Sequence, residues 1–217
     1  LEKKIIIRQV EEPDIDAIVA LTKTCFPNMD PWTREHLESH IKIFPEGQFC
    51  VEYDGRIIGA SSSLIVDFNE YEDRHTFDEI TDDGYITNHD PEGKHLYGIS
   101  IMVHPDFRRL HIGTRIYEAR KDLCRRLNLK SFLVGGRIPH YHKYADQMPA
   151  TEYVQQVIQQ KIYDPVLSFQ LLNDFKLKQV NPEYLSDDKA SLKYAVLLEW
   201  NNVDYLPKSK RLYLRAF

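Results

Sequence analysis

Apolar positions along this chain switch several times between a period of two and a period near 3.6. Residues 4–10 (Lys-Ile-Ile-Ile-Arg-Gln-Val) have strand composition. After Asp14, Ile15, Ile18, Ala20, Leu21 and Cys25 recur at helical spacing as far as Phe26-Pro27. Thr33, with Glu35 in the first turn and His36 three residues on, opens a second helix through Ile43, and Pro45 stops it. Two strands follow, Gln48 to Tyr53 and Arg56 to Phe68, joined by Asp54-Gly55, a strong short hairpin signal. His95 to Val103 is a buried-strand pattern ended by Pro105. Ile112, Ile116, Ala119, Leu123 and Leu127 then advance by 4, 3, 4 and 4, which makes one apolar helical stripe. Ser131 to Val134 is the next strand, ended or bulged by Gly135-Gly136. A polar helix from about Thr151 to Lys161, another from Asp164-Pro165 through Asn173, and strands at Lys176–Val180 and Ser191–Trp200 complete the series. The order predicts an α/β fold, a single mixed sheet with helices on both faces and no internal repeat.

Composition narrows the function. With 217 residues, 42% hydrophobic and 28% charged, the chain can bury the core of one full-sized domain and is too apolar for disorder. A formal net charge of −5 argues against nucleic acid as a general partner, since that affinity comes from Lys and Arg on phosphates. No run of 18 apolar residues occurs, so no membrane span is expected. The start, Leu-Glu-Lys-Lys-Ile-Ile-Ile, is too short in apolar residues to read as a signal peptide. Leu1 is not an initiator, so further residues are expected beyond the ends. Cys25, Cys50 and Cys124 are odd in number and widely spaced, which reads as reduced thiols in a cytoplasmic protein.

The charge is unevenly spread. Residues 67–92 hold ten acidic side chains against Arg74 alone, a local −9, and residues 108–126 carry a local +5. The acidic stretch reads first as a solvated excursion. Bordering a cleft, it would concentrate a cationic amine. Between the two lies Val103-His104-Pro105-Asp106-Phe107-Arg108-Arg109-Leu110-His111-Ile112-Gly113-Thr114. A strand stopped by proline here crosses a basic turn into a helix whose first N–H groups lack partners, so the turn reads as an anion site. Arg108, Arg109 and Arg115 favour a phosphate or pyrophosphate.

This stretch resembles the V-x-P-x-[FY]-R-x-x-G-x-G signature of the GNAT (Gcn5-related N-acetyltransferase) superfamily. Val103, Pro105, Phe107, Arg108, Ile112 and Gly113 match it, and His111 replaces the first motif glycine. Further segments are similar to the GNAT domain found fused ahead of a carbon–nitrogen hydrolase (nitrilase-like) domain in bacteria: Leu96-Tyr97-Gly98-Ile99, Gly135-Gly136-Arg137-Ile138-Pro139, Asp164-Pro165-Val166-Leu167-Ser168-Phe169-Gln170 and Leu198-Glu199-Trp200-Asn201-Asn202. The resemblance implies a GNAT fold with a mostly antiparallel twisted sheet over residues 1–200. An acidic excursion at 67–92 and an insertion at 137–163 would interrupt it, and 201–217 would form a tail or the start of a linker. It implies acetyl-CoA or CoA as co-substrate, no metal, a small-molecule or peptide amine as acceptor, and an associated hydrolase or a homodimer as partner.

By the same resemblance the main chain of Met102 and Val103 holds the pantetheine arm. Arg108, Arg109, Leu110, His111, Ile112, Gly113 and Thr114 cradle the pyrophosphate, and Phe169 and Gln170 complete the site. Direct attack by an amine needs no enzyme nucleophile, in keeping with the lack of a Ser-His or Cys-His arrangement. Many members carry a tyrosine that protonates the leaving thiolate where this chain has Gln170, and glutamine cannot serve as a general acid. Tyr97, Ser100 and Tyr141 are therefore the candidates for proton transfer, with Tyr144 and His95 as further options. Solvent protonation, or a domain that binds CoA without fast turnover, stays open beside them. Two ordinary readings complete the picture. His36 and His40 share a helix face as zinc ligands often do, but without a third ligand they read as solvated. Arg120, Lys121, Arg125 and Arg126 read as surface.

Overall fold

A computed structural model describes residues 4–68, 71 and 74–207; the tail expected at 201–217 falls beyond Pro207 for the most part and to that extent lies outside the described residues. One seven-stranded sheet runs in the order β1-β2-β3-β4-β5-β7-β6. Its strands are β1 (Ile5–Gln9), β2 (Phe49–Tyr53), β3 (Arg56–Val66), β4 (His95–Val103), β5 (Ser131–Arg137), β6 (Lys176–Asn181) and β7 (Ala195–Asn201). Only β4 and β5 pair in parallel; the other pairs are antiparallel. The helices are α1 (Ile15–Cys25), α2 (Arg34–Ile43), α3 (Phe77–Thr81), α4 (Ile112–Arg126), α5 (Ala150–Ile158) and α6 (Leu167–Leu172).

Local chemistry sets these bounds. Thr33 caps α2, its hydroxyl accepting the His36 amide at 3.3 Å. Asp54 and Gly55 both take positive φ (54° and 73°), the geometry of a tight hairpin turn that lets β2 and β3 pair directly. Asp164, fully buried, accepts the amides of Val166 and Leu167 at the start of α6, so that helix begins two residues later than its Asp-Pro signal suggests. One face of the sheet packs Cys50, Ala60 and Met102 against α1 and α2; the other packs Val51 and Ile58 against Ile112 and Ile116 of α4.

Four expectations are corrected. Gly135 and Gly136 do not end β5, which pairs with β7 through Arg137. The acidic excursion is anchored rather than solvated: Ile80 and Ile86 are fully buried and α3 folds within it. His36 and His40 are not a solvated face. His40 is buried with Nε2 2.7 Å from the Gly84 carbonyl, and the His36 ring lies against Tyr85, so α2 clamps the excursion. Arg120 and Lys121 are buried, Lys121 between Glu118, Asp174 and the Trp200 ring. The helical stripe located α4 correctly, but it ignored the long cationic stems that flank its apolar positions.

Candidate functional site

Parallel pairing of β4 with β5 covers His95–Gly98 against Ser131–Val134 and stops there, although both strands continue. The cause is visible on the other edge of β4. Its register with β3 skips Ile99, with Ser62 opposite Ser100 and Ser63 opposite Gly98, so a bulge turns the strand away from β5. Beyond it, the His104 amide donates to the Ile58 carbonyl of β3 at 2.8 Å. Backbone groups alternate in direction along a strand, so Met102 turns its main chain to β3, and Ile101 and Val103 turn theirs to the gap. Of the two residues expected to hold a pantetheine arm, Val103 therefore faces the opening. Met102 does not: its side chain sits in the core under Thr22. The Val103 carbonyl at this wall accepts from Arg108 Nε at 3.3 Å and from the Cys25 thiol at 3.4 Å. A gap between splayed strands with main-chain groups turned to it has the form that takes an extended amide-bearing chain as an added strand.

The gap leads to the start of α4. A turn of 3-10 helix (Pro105–Leu110) carries Arg108 and Arg109 exposed, and His111 then enters the left-handed region at φ 55°. The first backbone bond of α4 is Arg115 N–H to the His111 carbonyl at 3.1 Å, which leaves the amides of Ile112, Gly113 and Thr114 without a backbone partner among the described residues. A Cβ at Gly113 would stand 2.7 Å from the Phe169 ring, so α6 closes down on this turn only because the side chain is absent. The φ at His111 gives a reason for a glycine there: an L-residue in this region costs on the order of 1 kcal/mol. His111→Gly is accordingly expected to raise stability by about 0.5–1 kcal/mol, roughly 1–4 °C in melting temperature. An unchanged or lower melting temperature would refute the strain.

Three glycines surround the point where the strands part, and a polar side chain occupies each missing Cβ position. A Cβ at Gly98 would collide with the Arg120 guanidinium, one at Gly136 with the Gln170 amide, and one at Gly135 with the Tyr184 hydroxyl. Arg120 and Gln170 come from the α4–α6 face. Arg120 is almost fully buried with no carboxylate partner among the described residues: Nε donates to the Ser63 hydroxyl at 3.1 Å and Nη2 to the Ser62 carbonyl at 2.8 Å, directly over the bulge. Burial holds its pKa down to about 10, and the ring of Phe132 lies 4.9 Å away. Gln170 donates to the Tyr117 hydroxyl at 3.3 Å and leaves Oε1 without a partner among the described residues.

Tyr184 comes from the opposite face. Its hydroxyl lies 2.9 Å from that of Tyr97, which lies 2.9 Å from Nε2 of His75. All three side chains are buried, and His75 Nδ1 has no partner among the described residues. Burial holds His75 down to about 4 and pushes Tyr97 and Tyr184 well above the ordinary phenol range, so all three are neutral near pH 7. The other candidates are placed apart from this chain. Ser100 Oγ is buried on β4 without a partner among the described residues. The Tyr141 hydroxyl donates to the Met148 carbonyl at 3.3 Å within the insertion, its ring against Tyr153 and Tyr194. Sequence reasoning missed His75, Tyr184 and Arg120; only the Gly135-Gly136 pair, which marks close approach, hinted at them.

At the open end of the gap lies a cleft of about 620 Å³, lined by Cys25 to Met29 after α1, by Arg137 and His142, and by Asp187 to Ala190. One lip is the Cys25 thiol, 3.4 Å from the Val103 carbonyl; burial raises its pKa. The other is Arg137, held by Asp188 through two contacts of 2.6 Å. Among the described residues no group of three or more His, Cys, Asp or Glu side chains is placed to hold a metal ion, and no helix is long and apolar enough to cross a membrane.

Residues 15–139 match the acetyltransferase (GNAT) family. The whole chain is 65% identical to 42% of a Bacillus subtilis protein described as the probable hydrolase YhcX, so it spans less than half of that relative's length. Over 203 residues, 92% of this chain and 89% of the relative, it is 43% identical to the B. subtilis uncharacterized N-acetyltransferase YkwB. Among solved structures, the loading GNATL domain of CurA from Lyngbya majuscula superposes with a TM-score of 0.81 at 22% identity, covering 91% of this chain and 98% of that one.

Proposed function

The chain belongs to the GNAT family of acetyltransferases, and from that premise we propose that it moves an acetyl group from acetyl-CoA directly to a primary amine of a small molecule or peptide. The observation that carries the proposal is the gap between β4 and β5, which opens from Gly98 and Gly135 toward Val103 and Arg137, where the basic turn before α4 and the cleft at Cys25 adjoin it. The residues present fit the co-substrate. Ile101 and Val103 offer main-chain groups to a pantetheine amide. The amides of Ile112, Gly113 and Thr114, with Arg108, Arg109, Leu110 and His111 around them, offer the positive end of a helix to a pyrophosphate. Phe169 and Gln170 close the α6 side. Bound there, the thioester supplies an activated acyl carbon. The protein supplies orientation of the thioester toward the amine and main-chain donors for the charge that develops on its carbonyl oxygen. On the acceptor side, Asp187 and Asp188 line the cleft together with Arg137 and Lys189, and Asp188 is engaged by Arg137, so the wall offers groups of both signs to an acceptor.

Calorimetric titration tests the reading: acetyl-CoA is expected to bind, and Gly113→Ala to weaken it about tenfold by forcing Phe169 off the first turn of α4. Absence of binding at millimolar concentration would overturn it. A second reading is supported by Gln170, and by the relative described as a hydrolase that continues beyond this chain: a CoA-binding regulatory module working beside a carbon–nitrogen hydrolase. Thiol release from acetyl-CoA with a panel of primary amines separates the two, since the regulatory module releases none.

A further inference from the structure

Gln170 leaves the α6 face of the gap without an acid, but the next residue of β5 presents a hydroxyl from the opposite face. Gly136 receives the Gln170 amide and Gly135 the Tyr184 hydroxyl. Gly135 is also the first residue of β5 past the pairing with β4. The direction of the hydrogen bonds follows from the unpartnered atom at the far end. A proton on His75 Nδ1 would leave a buried donor unsatisfied, whereas a proton on Nε2 leaves there only a lone pair, the less costly orphan. Nε2–H then donates to Tyr97, Tyr97 donates to Tyr184, and the Tyr184 proton is the one left for the gap.

We infer that Tyr184 is the group that protonates the departing thiolate of the acyl-CoA, with Tyr97 and His75 as positioning residues that hold its hydroxyl at the parting of the strands. This rests on the acyl-transfer reading above. In the step, the amine nitrogen bonds to the thioester carbon and the C–S bond breaks with its electron pair passing to sulfur. Tyr184 Oη gives its proton to that sulfur, and its oxygen takes the proton the nitrogen gives up. The hydroxyl is restored and no charge stays behind. His75, kept neutral, anchors the direction without consuming a proton.

The groups facing this chain are few. Tyr71 and Glu79 lie on the excursion side, with the Phe68 and Phe77 rings between, and Arg120 stands across the strand at Gly98. Among the described residues Glu79 is held in the Thr76 cap and the Tyr71 hydroxyl accepts from the Asn88 amide at 2.7 Å, so both are engaged away from the gap.

The test uses CoA itself, so it needs no knowledge of the acceptor. CoA binding is measured by calorimetry, and the thiol of bound CoA is titrated by its ultraviolet thiolate absorbance, in the native protein and in Tyr184→Phe, Tyr97→Phe and His75→Gln. Tyr184→Phe keeps the ring and is expected to bind CoA within twofold, while the bound thiol's pKa rises by about one unit for loss of a hydrogen bond to the thiolate. Tyr97→Phe and His75→Gln should move it the same way by less, a shift that a merely structural role would not produce. With any amine that turns over, Tyr184→Phe is expected to lower kcat about 100-fold with little change in KM. A bound-thiol pKa unchanged by Tyr184→Phe, with CoA still bound, overturns the assignment and leaves the acyl-transfer reading standing. Failure of the native protein to bind CoA overturns that reading and the assignment together.

Discussion

Lowering the pH from about 7.5 to about 5 is expected to lower the melting temperature by roughly 10 °C, before most carboxylates titrate. Two histidines carry the effect. His40 is buried between α2 and the excursion, its Nε2 on the Gly84 carbonyl, and His75 is buried behind Tyr97. Desolvation of the imidazolium is the largest cause in each case and brings each pKa from 6.5 to about 4. Between those values the unfolded chain binds a proton that the folded chain refuses. Stability is therefore full above about 6.5 and declines as the pH falls toward 4, by about 2 kcal/mol per histidine at pH 5. His36, His89 and His95 are depressed by burial in the same direction. Asp14 is held below the usual carboxylate range by Arg8, and Asp188 lies below it because Arg137 and Ser191 outweigh its burial. Their contributions persist to lower pH and are lost only as each folded pKa is crossed. Calorimetric scans at a series of pH values should show about half the dependence in His40→Gln and in His75→Gln. A melting temperature flat over this range would refute the buried neutral state of both rings.

The same two histidines show what the sequence could and could not reveal. Strands, helices and their order were legible because apolar periodicity reports one residue's burial from its own neighbours along the chain: Ile112, Ile116 and Leu123 share a stripe whatever packs against it. The turn proposed to hold the cofactor was legible for the same reason, since Pro105, Arg108 and Gly113 lie within nine residues of one another. The parting of β4 and β5 was not, because it depends on a bulge in the ladder with β3, roughly 40 residues away. The burial of Arg120 was also hidden. Its position on α4 reads as solvated until Ser62, Ser63 and Gly98 are brought beneath it by that bulge. His75 and Tyr184 lie more than 100 residues apart in an acidic excursion and a loop, and only the closed sheet places Tyr97 between them. Polar residues recruited by tertiary contact carry no local period, and this site is made mostly of such residues.

Asp188→Ala is expected to cost about 3 kcal/mol, roughly 10 °C in melting temperature, because it breaks a buried pair from one side. The Asp188 carboxylate is 1% exposed and takes both forks of Arg137 at 2.6 Å and the Ser191 amide at 3.2 Å. The Ser191 hydroxyl in turn accepts the Ile138 amide at 3.1 Å, so one carboxylate fastens the β6–β7 loop to the end of β5. Removing it leaves a half-buried guanidinium without its counter-charge and frees Asp187 to Ala190, a whole wall of the cleft. Arg137→Ala should cost a similar amount by orphaning the carboxylate instead. The double variant should cost clearly less than the sum, since neither charge is then left alone. The first turn of α4 shares none of these bonds, so Asp188→Ala is expected to bind acetyl-CoA within about threefold of the native protein while losing acceptor turnover. A melting temperature within 2 °C of native would refute the clasp, and equal loss of acetyl-CoA binding would refute the assignment of the Asp187–Ala190 wall to the acceptor.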